Sequence, residues 1–304
     1  MPKKTITITA MERPALFADM VASLTRCGLD RWHVYVAIEP GDHQEALAQI
    51  AMDLLPSDQI TILRNPKQLG VRENPKAAID AAFGDRSDFN LCLEEDFLLA
   101  PDALQLADWY IANAQPHWVC LNLLAASCGS TGNLSAPAYP ELLFESKGFS
   151  SIGLGLTRRN WDQLRPHWSA PTAIRRKGYH DIAVDGWDHA LFAHLLKHPA
   201  LRSIHPVAAR CTHVGATGTY CTPTFQDAAF GHIALALRDA DAAARDGFSL
   251  VPIARLPQQI VGHVRAQQDF ANLLAQQVTR FEPTRSYLYD RLSHWNRKRR
   301  RRNQ

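Results

Sequence analysis

The chain has 304 residues and a formal net charge of +3, enough length for one large α/β domain or two smaller ones with a sizeable core. Six of its basic residues stand together at 297–302 (R-K-R-R-R-R), so the remaining body is neutral to slightly acidic, which argues against a surface built for nucleic acid. No apolar run reaches membrane-span length, and residues 1–4 lead directly into a strand pattern, so a cytoplasmic protein is expected.

The first third alternates strand and helix. Residues 5–11 (T-I-T-I-T-A-M) are a β-branched run, and residues 14–27 have helical apolar spacing, with Pro14 in the first turn and Gly28 just past the end. Strands follow at 33–39, 59–64 and 89–93, with helices at 43–55 and 74–83 between them. This alternation predicts parallel βαβ units, with helices on both faces of a mostly parallel sheet. A helix over 101–114 and a strand over 117–124 come next, then a Ser/Gly/Ala/Pro-rich loop at 125–140. Residues 151–157 read as a glycine-containing strand and 160–168 as a short helix. The polar segment 175–186 precedes a helix at 188–197. Residues 210–223 form a Gly/Thr-rich loop, and the chain from about 234 reads as helical, ending in the basic run. The expected organisation is a domain over 1–233, with halves 1–116 and 117–233, and a helical extension over 234–304. The cysteines Cys27, Cys92, Cys120, Cys128, Cys211 and Cys221 include no C-x-x-C pair and read as reduced thiols.

Ligands of such sheets sit beyond the carboxyl ends of the strands. Those ends carry Thr9 and Arg13, then Glu39, then Arg64, then the triplet Glu94, Glu95 and Asp96. Three acids at the end of an apolar strand repel unless a cation lies against them. Hard divalent cations are held by one or two carboxylates together with substrate phosphates. The alternative is that the acids cap the next helix or face water.

The stretch L-E-E-D-F-L-L-A-P-D at 93–102 resembles the acid motif of GT-A-fold glycosyltransferases, most of all the N-acetylglucosaminyltransferase I family, with E-E-D here where that family has E-D-D. F-S-S-I-G-L-G-L-T-R-R-N-W at 149–161, G-W-D-H at 186–189 and L-G-V-R-E-N-P-K at 69–76 are also similar to it, and the likeness spans roughly residues 4–232. The resemblance implies a GT-A, nucleotide-diphospho-sugar-transferase-like fold and transfer of a hexosyl or N-acetylhexosaminyl group from a nucleotide-diphosphate sugar, a UDP-sugar favoured, to a glycan or other hydroxyl acceptor. It implies that Asp96 binds Mn²⁺ (or Mg²⁺) and that the W-D segment carries the base, Asp188, with Asp185 as rival and Asp181 behind it. One base without a covalent nucleophile implies inversion at the sugar carbon.

His213, before the glycine-rich loop, is a second candidate metal ligand or diphosphate contact, and Thr217, Gly218 and Thr219 could close over the diphosphate. Thr9, Arg13, Glu39, Arg64, Glu94 and Glu95 are candidate nucleotide-sugar contacts. Trp187 could stack on a sugar or belong to the core. The basic run reads as a solvated end, with peripheral contact to anionic lipid at the inner membrane face, or to an acidic acceptor, as the alternative. Two other functions compete: a non-catalytic nucleotide-sugar or glycan binder of the same fold, and a sugar nucleotidyltransferase, which the absence of glycine at 10–14 disfavours.

Overall fold

The computed structural model of the chain describes residues 2–126, 132–168, 186–218 and 221–280, with side chains omitted at 270 and 273–280. Asp181, Asp185, Thr219, Cys128, nearly all of the polar segment 175–186 and the basic run at 297–302 therefore lie outside the described residues.

The first half follows the alternation expected from the sequence: β1 (Lys4–Ala10), α1 (Pro14–Thr25), β2 (Trp32–Ile38), α2 (Gln44–Leu54), β3 (Ile60–Arg64), α3 (Gly70–Gly84) and β4 (Phe89–Glu94). A short strand β5 (Phe97–Leu99) precedes α4 (Ala103–Asn113) and β6 (Trp118–Asn122). Then come β7 (Leu142–Ser146), β8 (Leu154–Thr157), α5 (Arg158–Leu164), α6 (Trp187–Lys197), β9 (Arg202–Pro206) and β10 (Cys211–His213). The last elements are α7 (Pro223–Phe230), α8 (Ala240–Asp246), β11 (Ser249–Leu250) and α9 (Gln258–Arg280).

Among the described residues nine strands form one sheet in the order β11-β7-β9-β6-β8-β4-β1-β2-β3. Five neighbouring pairs run parallel and three antiparallel. Helices cover both faces. Phe17 and Met20 of α1, Leu47 of α2 and Leu104 of α4 pack against Ile6, Ile8, Val34 and Leu93 on one side. Ile79 of α3, Trp161 of α5 and Phe192 of α6 pack with Cys92, Leu154 and Leu156 on the other. The fold is thus the mixed, mostly parallel α/β sheet that the periodicity predicts.

Thr5, Thr7 and Asn90, buried in β1 and β4, pair with one another. Thr7 donates to Asn90 Oδ1, and Asn90 Nδ2 donates to Thr5 Oγ1, both at 3.0 Å, so the Thr5 and Thr7 hydroxyls are buried without loss of hydrogen bonds. The order β4-β1-β2-β3 makes the chain run outward in opposite directions from the β1/β4 pair, and at such a reversal the two carboxyl ends open into a crevice. Thr9 lies opposite Glu94 in that pair.

The sequence reading missed β7 and β9, interior neighbours whose pairing with each other and with β6 is long-range. It also took 210–223 for loop, whereas its start pairs with β5 as β10 and α7 begins at Pro223. The stretch from 234, expected to be helical throughout, contributes β11 to the sheet edge beside β7. Of the cysteines, Cys27, Cys92, Cys120 and Cys211 are buried and free, and Cys221 is free and partly exposed. No helix among the described residues is long and apolar enough to cross a membrane.

Candidate functional site

Glu94 is the last residue of β4, and Glu95 and Asp96 form the turn that leads straight into β5. β5 pairs antiparallel with β10, setting His213 opposite Phe97, and Val214 N–H donates to the Asp96 carbonyl at 2.9 Å. This small ribbon carries His213 to Asp96. Its base is anchored by Arg210, whose Nη2 pairs with Asp102 Oδ2 at 2.8 Å with both side chains 0% exposed.

The cation against the acids is, first, Arg13. It follows β1 across the strand-order reversal, and its Nε lies 2.7 Å from Glu95 Oε1 while its Nη1 lies 2.6 Å from Asp96 Oδ2. Arg13 Nη1 also donates to the Thr217 carbonyl at 3.2 Å, and Met11 N–H donates to Glu95 Oε2 at 2.7 Å. The second cation is His213, whose Nε2 is 3.0 Å from Asp96 Oδ2. Burial alone would raise the Asp96 pKa, but the hydrogen bond and charge of His213, followed by Arg13, hold it below the usual carboxylate range. Burial would likewise lower the His213 pKa, and the bond and charge of Asp96 outweigh it and raise the pKa.

Glu94 behaves differently. Burial first, then the charge of Asp96 and more weakly that of Asp188, push its carboxyl up to about 7, with His213 and Arg13 opposing. Asp188 is thus within electrostatic reach of the triplet. It stands in the first turn of α6, where a carboxylate is favoured by the helix dipole, and its Oδ1 accepts from His189 N–H at 2.8 Å.

Asp96 Oδ1 is buried and has no hydrogen-bond partner among the described residues. Gly215 is needed beside it: a Cβ at that position would stand 2.2 Å from Asp96 Oδ2 and 2.7 Å from Arg13 Nη1. Among the described residues no three His, Cys, Asp or Glu side chains are grouped as a complete metal site.

The structure therefore brings together Thr9, Arg13, Glu94, Glu95, Asp96 and His213, with Asp188 nearby. The other three candidates are engaged elsewhere. Glu39 is buried, and its carboxylate accepts from the N–H groups of Leu69 (2.9 Å) and Gly70 (2.6 Å) at the start of α3. Arg64 turns outward to Glu45 on α2, with both contacts at 3.1 Å. Trp187 is stacked on Trp168 at 4.2 Å and 4°, deep in the second core. Sequence reasoning missed Gly215, Arg210 and Gln226, the last of which grips His213. Only Gly215 left a signal, as a glycine two residues after the candidate ligand.

The fold and this centre define an α/β protein with a charged cluster at the switch point of its sheet, where Arg13 and His213 meet Glu95 and Asp96 with Glu94 beside them. No protein-family model and no curated protein matches the chain. Among solved structures it is similar to a mannosyltransferase from Pyrobaculum calidifontis in complex with GDP-Man and Mn²⁺, with a TM-score of 0.49 and 15% identity over 91% of this chain and 74% of that one. It is similar also to S. aureus TarS 1–349, with a TM-score of 0.43 and 11% identity over 67% of this chain and 60% of that one. The same TarS portion in complex with UDP gives 0.44 and 11%, over 66% and 60%.

Proposed function

We propose that this chain is a glycosyltransferase that moves a hexosyl or N-acetylhexosaminyl group from a nucleotide-diphosphate sugar, a UDP-sugar favoured, to a hydroxyl of a glycan or other acceptor. The observation that carries the reading is Asp96. It sits at the strand-order reversal with one oxygen held by Arg13 and His213 and the other buried without a partner among the described residues. A buried carboxylate oxygen left unpaired is costly, and a bound cation would satisfy it.

Asp96 offers an oxygen donor, and His213 offers a nitrogen donor once Nε2 gives up the proton it shares with Asp96. A Mn²⁺ or Mg²⁺ site with so few protein ligands is completed by diphosphate oxygens and water, the usual way such ions are held beside phosphates. The residues present fit that use. Bound there, the ion would supply charge neutralisation for the leaving diphosphate. Arg13 adds a fixed guanidinium on the same side, a second source of stabilisation for that charge.

Asp188 is the proposed base. It accepts the acceptor hydroxyl's proton as that oxygen attacks the sugar carbon, and a single displacement inverts the anomeric centre. The raised pKa of Glu94, pushed up by burial and then by the charges of Asp96 and Asp188, keeps like charge low where the anionic donor enters. Residues 1–233 carry the transferase, and 234–304 extend it.

The test is a thermal-shift panel with UDP, GDP, CDP and dTDP, each with Mn²⁺ and with chelator. A nucleotide present at 100 times its Kd adds about 2.7 kcal/mol to the folded state. One nucleotide stabilising only with metal supports the reading, and silence from all four under both conditions overturns it.

A further inference from the structure

Gln226 lies on α7, outside the acid cluster, yet its terminal amide holds His213 at two points. Its Nε2 donates to the His213 backbone carbonyl at 2.5 Å, and its Oε1 stands 2.6 Å from His213 Nδ1. A backbone carbonyl only accepts, so the amide NH₂ must be on that side; reversing the amide would set two oxygens 2.5 Å apart. The Cys221 thiol, 3.6 Å from the same Oε1, is a further donor to it. An amide oxygen likewise only accepts, so the His213 Nδ1 facing it carries a proton. Nε2, 3.0 Å from Asp96 Oδ2, donates to that carboxylate, so in the metal-free chain the ring is held at both nitrogens.

Gln226 is itself well placed. Thr222 caps α7 by accepting from Phe225 N–H at 3.2 Å, and Pro223 occupies the first turn. Gln226 N–H donates to the Thr222 carbonyl at 2.8 Å, while Phe230 packs on the His213 ring at 5.2 Å.

We propose that Gln226 is a positioning residue that holds His213 through Nδ1–H, so that Nε2 faces Asp96, donating its proton to Oδ2 in the metal-free chain and free, once that proton is released, to meet a divalent cation bound there. The cation clause rests on the transferase reading; the hold on Nδ1–H rests on the hydrogen bonds alone. A ligating histidine whose other nitrogen is held in this way is oriented before the metal arrives, and loss of such a partner typically costs 10–100-fold in metal affinity.

The test uses the full ¹⁵N-labelled chain. Long-range ¹H–¹⁵N correlation spectra report which nitrogen of His213 is protonated, with His213→Gln providing the assignment. The wild type is expected to show a protonated Nδ1. Gln226→Met, similar in length but without polar atoms, is expected to lose that fixed proton, and Gln226→Glu to keep it, because a carboxylate also accepts from Nδ1–H. Mn²⁺ titration followed by electron paramagnetic resonance should show affinity about 10–100-fold weaker in Gln226→Met and closer to wild type in Gln226→Glu. Should Gln226→Met not fold, Gln226→Asn, one methylene too short for both contacts, replaces it. An unchanged His213 spectrum in the folded variant overturns the proposal. So does a changed spectrum with Mn²⁺ affinity within about twofold of wild type, set against the range expected for a lost partner. If the wild type binds neither Mn²⁺ nor nucleotide, the transferase reading falls and the imidazole spectra alone decide the role of Gln226.

Discussion

Replacing Arg13 by methionine keeps much of the side chain's apolar length and removes the guanidinium. Glu95 and Asp96, with side chains 5% and 3% exposed, would then face each other with His213 as the remaining cation. Removing one partner of a fully buried ion pair costs about 3–5 kcal/mol. Arg13 is itself 28% exposed, so water can enter where the guanidinium was, and the expected loss is about 2 kcal/mol at pH 7. The effect must also depend on pH. The pKa of Asp96 is lower in the folded chain than its usual value, so its stabilisation is fully present above that usual value, about 3.9 for Asp, and is lost as the pH falls through the lower folded value. The gap between wild type and Arg13→Met is therefore widest near neutrality and closes in acid. Urea unfolding followed by tryptophan fluorescence, in steps from pH 7 downward, measures it. A loss below about 0.5 kcal/mol at pH 7, the size of an ordinary surface substitution, would refute the reasoning, as would a gap of constant size at every pH.

Gly215→Ala would force a Cβ to within 2.2 Å of Asp96 Oδ2; an overpacking cost of about 1–3 kcal/mol and weaker nucleotide–Mn²⁺ binding are expected, read by thermal shift with and without ligand. Glu39→Ala strips the carboxylate from the start of α3 and is expected to lower stability by about 1–3 kcal/mol; a nucleotide affinity unchanged by calorimetry would assign Glu39 to structure alone. Asp188→Asn is expected to lower sugar transfer by about 10² to 10⁴ with nucleotide affinity kept, and full transfer by the variant would remove Asp188 as the base. The pKa of Glu94, raised to about 7, means that the unfolded chain binds fewer protons between its usual carboxylate range and 7, so this group makes stability fall as the pH rises across that window. Glu94→Gln should flatten that fall in a series of melts.

The sequence alone determined the alternation in the first half. Apolar period and turn residues are local signals, and T-I-T-I-T-A-M or H-V-Y-V-A-I-E needs no distant partner to read as a strand. It also brought Asp96 forward, because three carboxylates closing an apolar strand demand a cation wherever the chain goes. It could not say which cation, since Arg13 reaches the triplet only once β1 lies beside β4. His213 could be singled out by the glycines after it, but its contact with Asp96 exists only through the β5–β10 ribbon. Glu39 and Arg64 end strands two and three as the pattern says. Their side chains were decided by neighbours brought in by folding, the N–H groups that open α3 and the carboxylate of Glu45. Trp187, equally ready for a sugar or for the core, is drawn by its stack with Trp168 into the apolar layer. Gln226 carries no mark in the sequence, because a glutamine becomes specific only when the carbonyl and the imidazole it joins are already fixed in space. Local patterning thus settles which elements form and where the charge stands. Which charges meet, and with which proton on which nitrogen, is settled by long-range pairing that no local pattern contains.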